Sequence, residues 1–253
     1  MNENGIMGSI NSIETFGAVD GPGVRYIVFL QGCRMRCQYC HNPETWADTA
    51  EGSYKETPAV TFQKAWRYHN YWKNGGGITV SGGEALLQMD YVTELFRLAK
   101  EKGVHTTLDT SGQPFSMDAE VLDKFNALME VTDLFLLDIK QIDPDKHKKL
   151  TGWDNSNILE LARYLAQNHK HFWIRHVLVP GITTGEEDQK KLRAFIDELR
   201  EMDAECVERV EVLPYHRLGV AKYDKLSIPY SLREVQPPTR EEIEQAENIL
   251  VHG

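Results

Sequence analysis

Residues 24–42 read VRYIVFLQGCRMRCQYCHN, an apolar run followed at once by a cysteine-rich loop. The run Val24–Leu30 is rich in β-branched and aromatic residues and lacks turn formers, which is typical of a buried strand. The loop then places Cys33, Cys37 and Cys40 within eight residues, in a chain that has 4 cysteines. We therefore expect the fold and the chemistry to meet at the end of this strand.

Similar apolar runs recur along the chain and alternate with amphipathic segments. Further strands are predicted at 77–80, 104–110, 133–140, 172–181 and 207–216. Helices are predicted at 61–73, 91–103, 118–130, 157–168, 183–202 and 239–250. Strands that are apolar on both faces and alternate with helices indicate a parallel sheet covered by helices. Since a closed barrel needs eight such units, we predict an α/β fold, a partial (β/α)6 barrel of parallel strands with an outer layer of helices. An open doubly wound sheet is the alternative.

The domain organisation is predicted to be simple. No repeat, low-complexity segment or proline-rich linker divides the sequence. We predict a single domain over 1–253, with a core of about 20–216 and a C-terminal irregular segment and helix at about 217–253. Capping residues predict two helix starts, one at Ser156 and one at the Thr184–Glu187 pair.

Composition and charge exclude several classes of function. The chain is 41% hydrophobic and 26% charged, as in ordinary globular proteins. Its formal charge of −10 argues against binding nucleic acid through broad phosphate contacts. No apolar run approaches a membrane span, and the first fifteen residues lack the pattern of a secretory signal. We therefore expect a cytoplasmic protein, in which clustered cysteines bind metal or act in catalysis and do not form disulfides.

Polar residues follow the predicted strands at their carboxyl ends. Either candidate architecture places ligands at that edge of the sheet. The residues concerned are Ser81, Gly82, Gly83, Glu84, Asp109, Thr110, Asp138, Lys140, Arg175, Tyr215 and His216. One polar residue at a strand end is usually a turn or cap residue. The convergence of several strand ends on one rim is what indicates a site.

The three cysteines allow two interpretations. Zinc could be bound by the cysteines together with His41, although structural zinc sites usually combine ligands from two separated segments. An iron–sulfur cluster is ordinarily held by four thiolates. With three thiolates, one iron is left without a protein ligand and is open to substrate. Spacing favours the cluster but leaves both interpretations open.

The spacing C-x3-C-x2-C, with Tyr39 before the last cysteine, resembles the signature of the radical S-adenosylmethionine (SAM) superfamily. The segments VDGPGVR (19–25), SGGEALLQ, LDTSG, LLDIK, VPG and LPYH are similar to those of the pyruvate formate-lyase activating enzymes. This resemblance spans roughly residues 8–250. Many other activases of glycyl-radical enzymes carry an added ferredoxin-like domain with more cysteines. Cys206 is the one further cysteine here, so no second cluster is expected, and it is predicted to be an inert buried thiol.

The resemblance implies roles for particular residues. Cys33, Cys37 and Cys40 would ligate a [4Fe-4S] cluster, whose open iron binds SAM. Contacts to SAM are implied at Tyr39, Cys40, His41, Gly82, Gly83, Glu84, Asp138, Ile139, Lys140, Arg175 and His216. A monovalent cation, Na+ or K+, would be bound by Asp109, Thr110 and Asp138, since hard oxygen ligands suit such an ion.

The resemblance also implies an activity. SAM would be cleaved reductively at the cluster, and the 5′-deoxyadenosyl radical would abstract an α-hydrogen from a glycine loop of pyruvate formate-lyase. A flavodoxin or ferredoxin would donate the electron, and no catalytic side chain beyond the cluster and SAM is needed. Asp20, in the turn before the first strand, is predicted to dock the partner. The alternatives are an activase of another glycyl-radical enzyme, such as an anaerobic ribonucleotide reductase, and a non-catalytic zinc-binding module.

Overall fold

Eight strands and eight α-helices make up the part of the chain that the computed structural model describes, residues 5–252. The strands are β1 (Gly8–Gly17), β2 (Arg25–Leu30), β3 (Tyr54–Glu56), β4 (Gly77–Gly82), β5 (His105–Thr110), β6 (Leu134–Asp138), β7 (Phe172–Leu178) and β8 (Val207–Pro214). The helices are α1 (Pro58–Trp66), α2 (Met89–Lys100), α3 (Ala119–Glu130), α4 (Pro144–Thr151), α5 (Ser156–Gln167), α6 (Glu186–Met202), α7 (Val220–Leu226) and α8 (Arg240–Glu247).

The strands form a mostly parallel sheet in the order β3-β1-β2-β4-β5-β6-β7-β8. Parallel pairing joins β2 to β4, β4 to β5 and β7 to β8. Within the described residues the order is open, with β3 at one end and β8 at the other. The predicted α/β fold with a partial barrel is confirmed, because the sheet is mostly parallel, does not close and alternates with helices.

Two strands were missed by the sequence prediction. β1 pairs antiparallel with both β2 and β3. Its Ile10 is fully buried, whereas Ser12 and Glu14 are exposed. A strand with one solvent-exposed face alternates between apolar and polar residues. It therefore lacks the continuous apolar run by which strands buried on both faces are recognised. β3 has only three residues, too few for any periodicity to be read.

Contacts along the chain divide it into two compact units. The first unit comprises the chain up to Arg34 together with 45–110 and 114–136. The second unit comprises 35–44, 111–113 and the chain from Leu137 onward. The boundary therefore falls inside the cysteine loop and inside β6. The single domain over 1–253 stays a prediction.

The first unit is built around the strands that precede the site. β2 is buried along most of its length, with Ile27 and Val28 fully inaccessible. Helix α2 buries one face, and α3 packs beside it through Phe125, whose ring meets Phe115 edge-on at 5.0 Å. Burial of each such side chain contributes roughly 1.5–3 kcal/mol. This packing fixes the strand ends from which the site residues project.

The second unit has its own core. Helix α5 buries Ile158, Leu161 and Leu165, which recur at helical spacing on one face. Helix α6 packs against α5 and buries Leu192, Phe195, Ile196 and Leu199. Strand β7 alternates buried and partly exposed residues, so its two faces differ.

Both predicted helix caps are wrong. Helix α5 begins at Ser156 itself, and Asp154 accepts hydrogen bonds from the Ser156 backbone N–H at 3.0 Å and hydroxyl at 2.5 Å. A carboxylate is the stronger acceptor and is favoured at the positive end of a helix. Helix α6 begins after Gly185, and the Thr184 hydroxyl accepts from the Gly181 N–H at 3.0 Å, so the Thr184–Glu187 cap does not form.

Two short helices were not delimited by the sequence prediction. The region 217–238, predicted to be irregular, contains α7, whose seven residues are too few for apolar periodicity. Helix α4 has few apolar residues, but it carries local start and stop residues. Asp143 caps it, Pro144 is its first residue, and Gly152 ends it at φ 89°. No described helix is both long and apolar enough to cross a membrane.

Candidate functional site

The cysteine loop starts from a root that the first unit holds by backbone hydrogen bonds. Gly83 N–H donates to Leu30 at 2.9 Å, and Glu84 N–H donates to Gly32 at 2.9 Å. Gly32 in turn donates its N–H to Thr45 at 2.9 Å. The end of β4 and the chain after the loop thus fix the residue immediately before Cys33.

The two glycines at the end of β4, Gly82 and Gly83, are required by close backbone approach. Gly82 has φ +121°, a conformation that L side chains rarely adopt, and a Cβ there would lie 2.1 Å from the Leu30 nitrogen. A Cβ on Gly83 would lie 2.2 Å from the Gly32 oxygen. Glycine at both positions is what allows β4 to approach the root of the cysteine loop.

Predicted polar residues of the first unit form a compact group. The Ser81 hydroxyl donates to Asp109 Oδ2 at 2.6 Å, and the Thr110 hydroxyl donates to Glu84 Oε1 at 2.5 Å. Glu84 is buried and also accepts from the Leu86 N–H at 2.9 Å, so its carboxylate caps the turn after β4. The structure therefore brings Glu84, Asp109 and Thr110 together at the ends of β4 and β5.

In the second unit, the end of α4 holds the middle of the cysteine loop. Arg36 N–H donates to the Thr151 carbonyl at 2.8 Å, and Gln38 N–H donates to the Leu150 carbonyl at 3.0 Å. The Gln38 side chain donates to Lys149 at 2.8 Å. The last carbonyls of a helix lack partners within the helix, and here the loop satisfies them. Helix α4 is thus a structural part of the site that periodicity did not reveal.

The thiols differ in exposure. Cys37 is buried, while Cys33 and Cys40 are half-buried, and Cys40 Sγ accepts from the Asn42 N–H at 3.4 Å. Among residues 5–252, no three His, Cys, Asp or Glu side chains are already arranged as a metal-binding set. The donor chemistry, three thiols of one loop, nevertheless fits an iron–sulfur cluster with one iron open. Cys206 is buried as predicted, and burial raises the pKa of its thiol.

His41 does not join the cysteines as a fourth ligand. Its ring stacks on that of His216 with centroids 4.0 Å apart, and its Nε2 lies 3.3 Å from the His216 carbonyl oxygen. Burial, together with the neighbouring His216, lowers the pKa of His41. The pair therefore forms a flat aromatic surface beside Cys40, and the roles of both rings as SAM contacts stay predictions.

Asp138, Lys140 and Arg175 form a buried charged group. Lys140 Nζ lies 2.7 Å from Asp138 Oδ2, and Arg175 Nε lies 3.7 Å from Asp138 Oδ1. Burial alone would raise the pKa of Asp138, but Lys140 and Arg175 outweigh it and hold that pKa below its usual value. Burial would likewise lower the pKa of Lys140, yet Asp138 holds it well above its usual value. Asp138 and Lys140 are therefore both charged at neutral pH.

Tyr39 completes this group beside the last cysteine. Lys140 Nζ lies 5.8 Å from the centre of the Tyr39 ring, and burial raises the pKa of the Tyr39 hydroxyl. Tyr39 Oη and Asp138 Oδ1 are buried without a hydrogen-bond partner in the described chain. Buried polar atoms are normally paired, so these two atoms fit contact with a polar ligand. Ile139 is fully buried, and its N–H donates to the Arg175 carbonyl at 3.0 Å.

Sequence reasoning missed the contact that α7 makes with the cysteine loop. Lys222 Nζ donates to Asn42 Oδ1 at 2.7 Å and to Glu44 Oε1 at 2.5 Å. Lys222 and Asn42 are 180 residues apart in the chain. Local spacing carries no information on such a contact, and only the folded chain reveals it.

Asp20 lies in a turn that the first unit holds from within. The Asp20 carbonyl accepts from the Thr79 hydroxyl at 2.7 Å, and Thr79 accepts from Arg25 Nε at 2.9 Å. The Asp20 side chain is half-buried. The turn is therefore an ordered feature next to β4, and its role in docking a partner stays a prediction.

Comparison with known proteins identifies the family. Residues 27–192 match the model of the radical SAM superfamily. The chain is 51% identical over 245 residues to the pyruvate formate-lyase-activating enzyme of Streptococcus mutans, covering 97% of this chain and 91% of that protein. A crystal structure of a domain of the pyruvate-formate lyase-activating enzyme from Bacteroides vulgatus is 26% identical, with a TM-score of 0.55. That match covers 70% of this chain and 94% of the other.

A more distant structure supports the fold alone. Streptococcus suis SuiB, crystallised with the precursor peptide SuiA, is 18% identical with a TM-score of 0.63. The match covers 89% of this chain and 45% of SuiB. The superfamily model includes the cysteine loop and the strands up to β7, and the closer relative extends the match to almost the whole sequence. The chain therefore belongs to the family of pyruvate formate-lyase-activating enzymes within the radical SAM superfamily.

Proposed function

We propose that this chain activates pyruvate formate-lyase by generating a radical on one of its glycines. Beyond family membership, the observation that carries the proposal is the buried group of Asp138, Lys140 and Arg175 beside Tyr39. Tyr39 is the residue before Cys40, and the group combines fixed charges with two buried atoms, Tyr39 Oη and Asp138 Oδ1, that have no hydrogen-bond partner in the described chain. Such a group suits a zwitterionic ligand, and the amino-acid portion of SAM is one.

Cys33, Cys37 and Cys40 would hold the [4Fe-4S] cluster. When bound, the cluster and SAM supply one-electron cleavage of a carbon–sulfur bond and removal of a glycine hydrogen by the 5′-deoxyadenosyl group. The chain's own residues would bind and orient the cluster and SAM. The backbone at Gly82, Gly83 and Glu84 offers a close approach, and the stacked rings of His41 and His216 offer an aromatic surface.

The protein's charged side chains would balance the negative charge of the SAM carboxylate. Arg175 and Lys140 provide positive charge, and Asp138 keeps both in place. We further propose that Asp109 and Thr110, with Asp138, bind a monovalent cation. The support is chemical: their hydroxyl and carboxylate oxygens are the ligands that an alkali ion prefers.

We also propose a substrate protein and an electron donor for this chain. The substrate is a glycine loop of pyruvate formate-lyase, and the turn at Asp20 is proposed to contact it. A flavodoxin or ferredoxin is proposed as the electron donor, and the cytoplasm, where such donors and reduced thiols occur, as the location.

Anaerobic reconstitution tests this function. The purified chain is loaded with iron and sulfide, reduced, and mixed with SAM and pyruvate formate-lyase. We expect 5′-deoxyadenosine to form and a glycyl-radical doublet to appear on the partner in electron paramagnetic resonance. Formation of 5′-deoxyadenosine without the doublet would contradict the choice of partner.

Two cysteine variants separate cluster ligation from folding. Cys37→Ala is expected to bind little iron and to lose 5′-deoxyadenosine formation, because a thiolate ligand is missing. Cys206→Ala is the matched control, since Cys206 is equally buried but its thiol lies 3.5 Å from the Leu199 carbonyl, in the core. SAM cleavage by Cys37→Ala at the rate of the unmodified chain would refute the cluster assignment.

A further inference from the structure

The segment after β8 lies directly on the end of the cysteine loop. A Cβ placed on Gly219 would be 3.2 Å from the Cys40 oxygen and 3.2 Å from the His41 Cα. Contacts this short mean that the two backbones touch with little room for a side chain between them. Helix α7 therefore begins against the residues that follow the last cysteine.

Lys222, in the first turn of α7, continues this contact. Its ammonium group donates to Asn42 Oδ1 at 2.7 Å and to Glu44 Oε1 at 2.5 Å. It thus links α7 to two positions on the chain leaving the loop. The side chains of Lys222 and Glu44 are 44% and 25% exposed, so the pair is partly shielded from solvent.

Tyrosines anchor the segment on both sides of α7. Tyr223 is buried, and its ring lies 4.6 Å from that of Tyr230. The hydroxyls of Tyr215 and Tyr230 are 2.8 Å apart, and Tyr215 also donates to the Leu232 carbonyl at 3.3 Å. These contacts join the two ends of residues 215–232, called the strap below, and hold α7 between them.

We propose that the strap holds the cysteine loop in the conformation described above and so slows its opening. Lys222 is the positioning residue that fastens the strap to the loop. This inference rests on the proposed function, because the group that the loop would retain is the [4Fe-4S] cluster. The strap lies outside residues 27–192, which match the superfamily model.

Beyond its root at Gly32, the cysteine loop is held at two places. Arg36 and Gln38 are held by the end of α4, whereas the residues after Cys40 are held by the strap. Loss of iron requires the loop to open. Release of the strap would free the residues after Cys40, which α4 does not hold. The partly exposed ion pair with Glu44 and the hydrogen bond to Asn42 are lost together and contribute modestly, so we expect three- to tenfold effects on opening.

Hydrogen exchange in the cluster-free chain tests the strap independently of any cofactor. Lys222→Met keeps the length of the side chain but loses its charge, and Lys222→Arg restores the charge. The control is Lys191→Met, which removes another helix ion pair, to Glu187 at 2.9 Å on α6. We expect backbone exchange in residues 38–44 to speed up three- to tenfold in Lys222→Met only. Unchanged exchange there would overturn the proposal.

Release of iron from the reconstituted chain tests the consequence. With excess chelator and no oxygen, the visible absorption of the cluster should decay three- to tenfold faster in Lys222→Met. Lys222→Arg and Lys191→Met should decay within about twofold of the unmodified chain. Equal decay rates in Lys222→Met and the unmodified chain would overturn the proposal.

Two further experimental outcomes also have a defined meaning. If Lys222→Met does not fold, Glu44→Gln replaces it, because it removes the same ion pair from the loop side, and the same two criteria apply. If the unmodified chain takes up no [4Fe-4S] cluster, the proposed function fails. The exchange measurement then still decides whether Lys222 fastens the loop.

Discussion

Gly83 connects a single missing side chain to the position of Cys33, a proposed cluster ligand. A Cβ there would lie 2.2 Å from the Gly32 oxygen and 3.1 Å from the Thr45 oxygen. Both neighbours are backbone atoms, which cannot rotate away as a side chain would. We expect Gly83→Ala to destabilise the chain by about 1–3 kcal/mol, the usual range for overpacking. Since Gly32 precedes Cys33, the iron bound per chain after reconstitution should also fall.

The matched control is Gly185→Ala. Gly185 has φ −67°, and the nearest atom to its added Cβ is a side-chain oxygen of Asp188 at 3.9 Å. This variant should unfold in urea within about 0.5 kcal/mol of the unmodified chain. If Gly83→Ala behaves like Gly185→Ala in both urea unfolding and iron content, the close approach is not structurally important.

His147 makes stability depend on pH. It is fully buried in α4, its Nδ1 donates to the Trp153 carbonyl at 2.6 Å, and burial lowers its pKa from 6.5. The unfolded chain then binds a proton near pH 6.5, whereas the folded chain binds it only at lower pH. The free energy of unfolding should therefore fall as pH falls through 6.5, by up to about 1.4 kcal/mol per pH unit from this group.

Urea unfolding of the cluster-free chain between pH 5.5 and 7.5 measures this slope. His147→Gln keeps a side-chain donor and should flatten the slope, even where it lowers stability at pH 7.5. An unaltered slope in His147→Gln would show that His147 does not titrate differently on unfolding.

The residues that were predictable are those whose role is encoded in local spacing. Cys33, Cys37 and Cys40 could be identified because three thiols lie in one short loop. Asp138 and Lys140 could be identified because they end an apolar strand. Lys222 could not, since its partners are 180 residues away and a lone exposed lysine has no distinguishing pattern.

At the scale of elements, one buried arginine joins the start of β2 to β4 and β5. Arg25 is fully buried, and burial lowers its pKa to about 10. Its guanidinium donates to the hydroxyls of Thr79 and Thr107 at 2.9 and 2.8 Å and to the carbonyl of Ile78 at 2.6 Å. Further donations reach Pro22 at 3.3 Å and Gly75 at 3.0 Å. The charge is thus solvated by neutral acceptors from two strands, β4 and β5, and from two turns.

Arg25→Met is expected to cost roughly 2–4 kcal/mol of unfolding free energy. Methionine fills much of the volume but leaves several buried acceptors without a donor, each of which is costly. Arg163→Met is the control, because Arg163 pairs with Glu198 at 2.5 Å on the surface, where such pairs contribute about 0.2–1 kcal/mol. Equal losses for the two variants in urea unfolding would contradict the role assigned to Arg25.

Elements were predictable where burial leaves a simple pattern. Strands β2, β4 and β6 are buried along most of their length, so they appear as continuous apolar runs. Strand β1 has one exposed face, and α7 has seven residues, so neither produces such a run. Helix α4 could have been found from Asp143, Pro144 and Gly152, because cap residues mark a helix even when its sequence is polar.

At the scale of the whole molecule, the path of the chain makes the two units interdependent. The chain crosses between them after Arg34, after Glu44, on both sides of 111–113 and within β6. Neither unit is a continuous stretch of sequence. An independent domain usually is one, with its boundary in an exposed linker. The sequence contained no such linker, which is the physical basis for predicting one domain.

We therefore expect the cluster-free chain to unfold in one transition. The 5 tryptophans report on both units: Trp46, Trp66 and Trp72 lie in the first, Trp153 and Trp173 in the second. Replacing Trp153 and Trp173 by phenylalanine leaves fluorescence from the first unit only, and replacing the other three leaves the second unit only. In each variant, urea curves from fluorescence and from far-ultraviolet circular dichroism should coincide. Since β6 contributes residues to both units, unfolding of one removes part of a strand from the other. Fluorescence midpoints that differ from the circular dichroism midpoint within either variant would show that the units unfold separately and would refute the single domain.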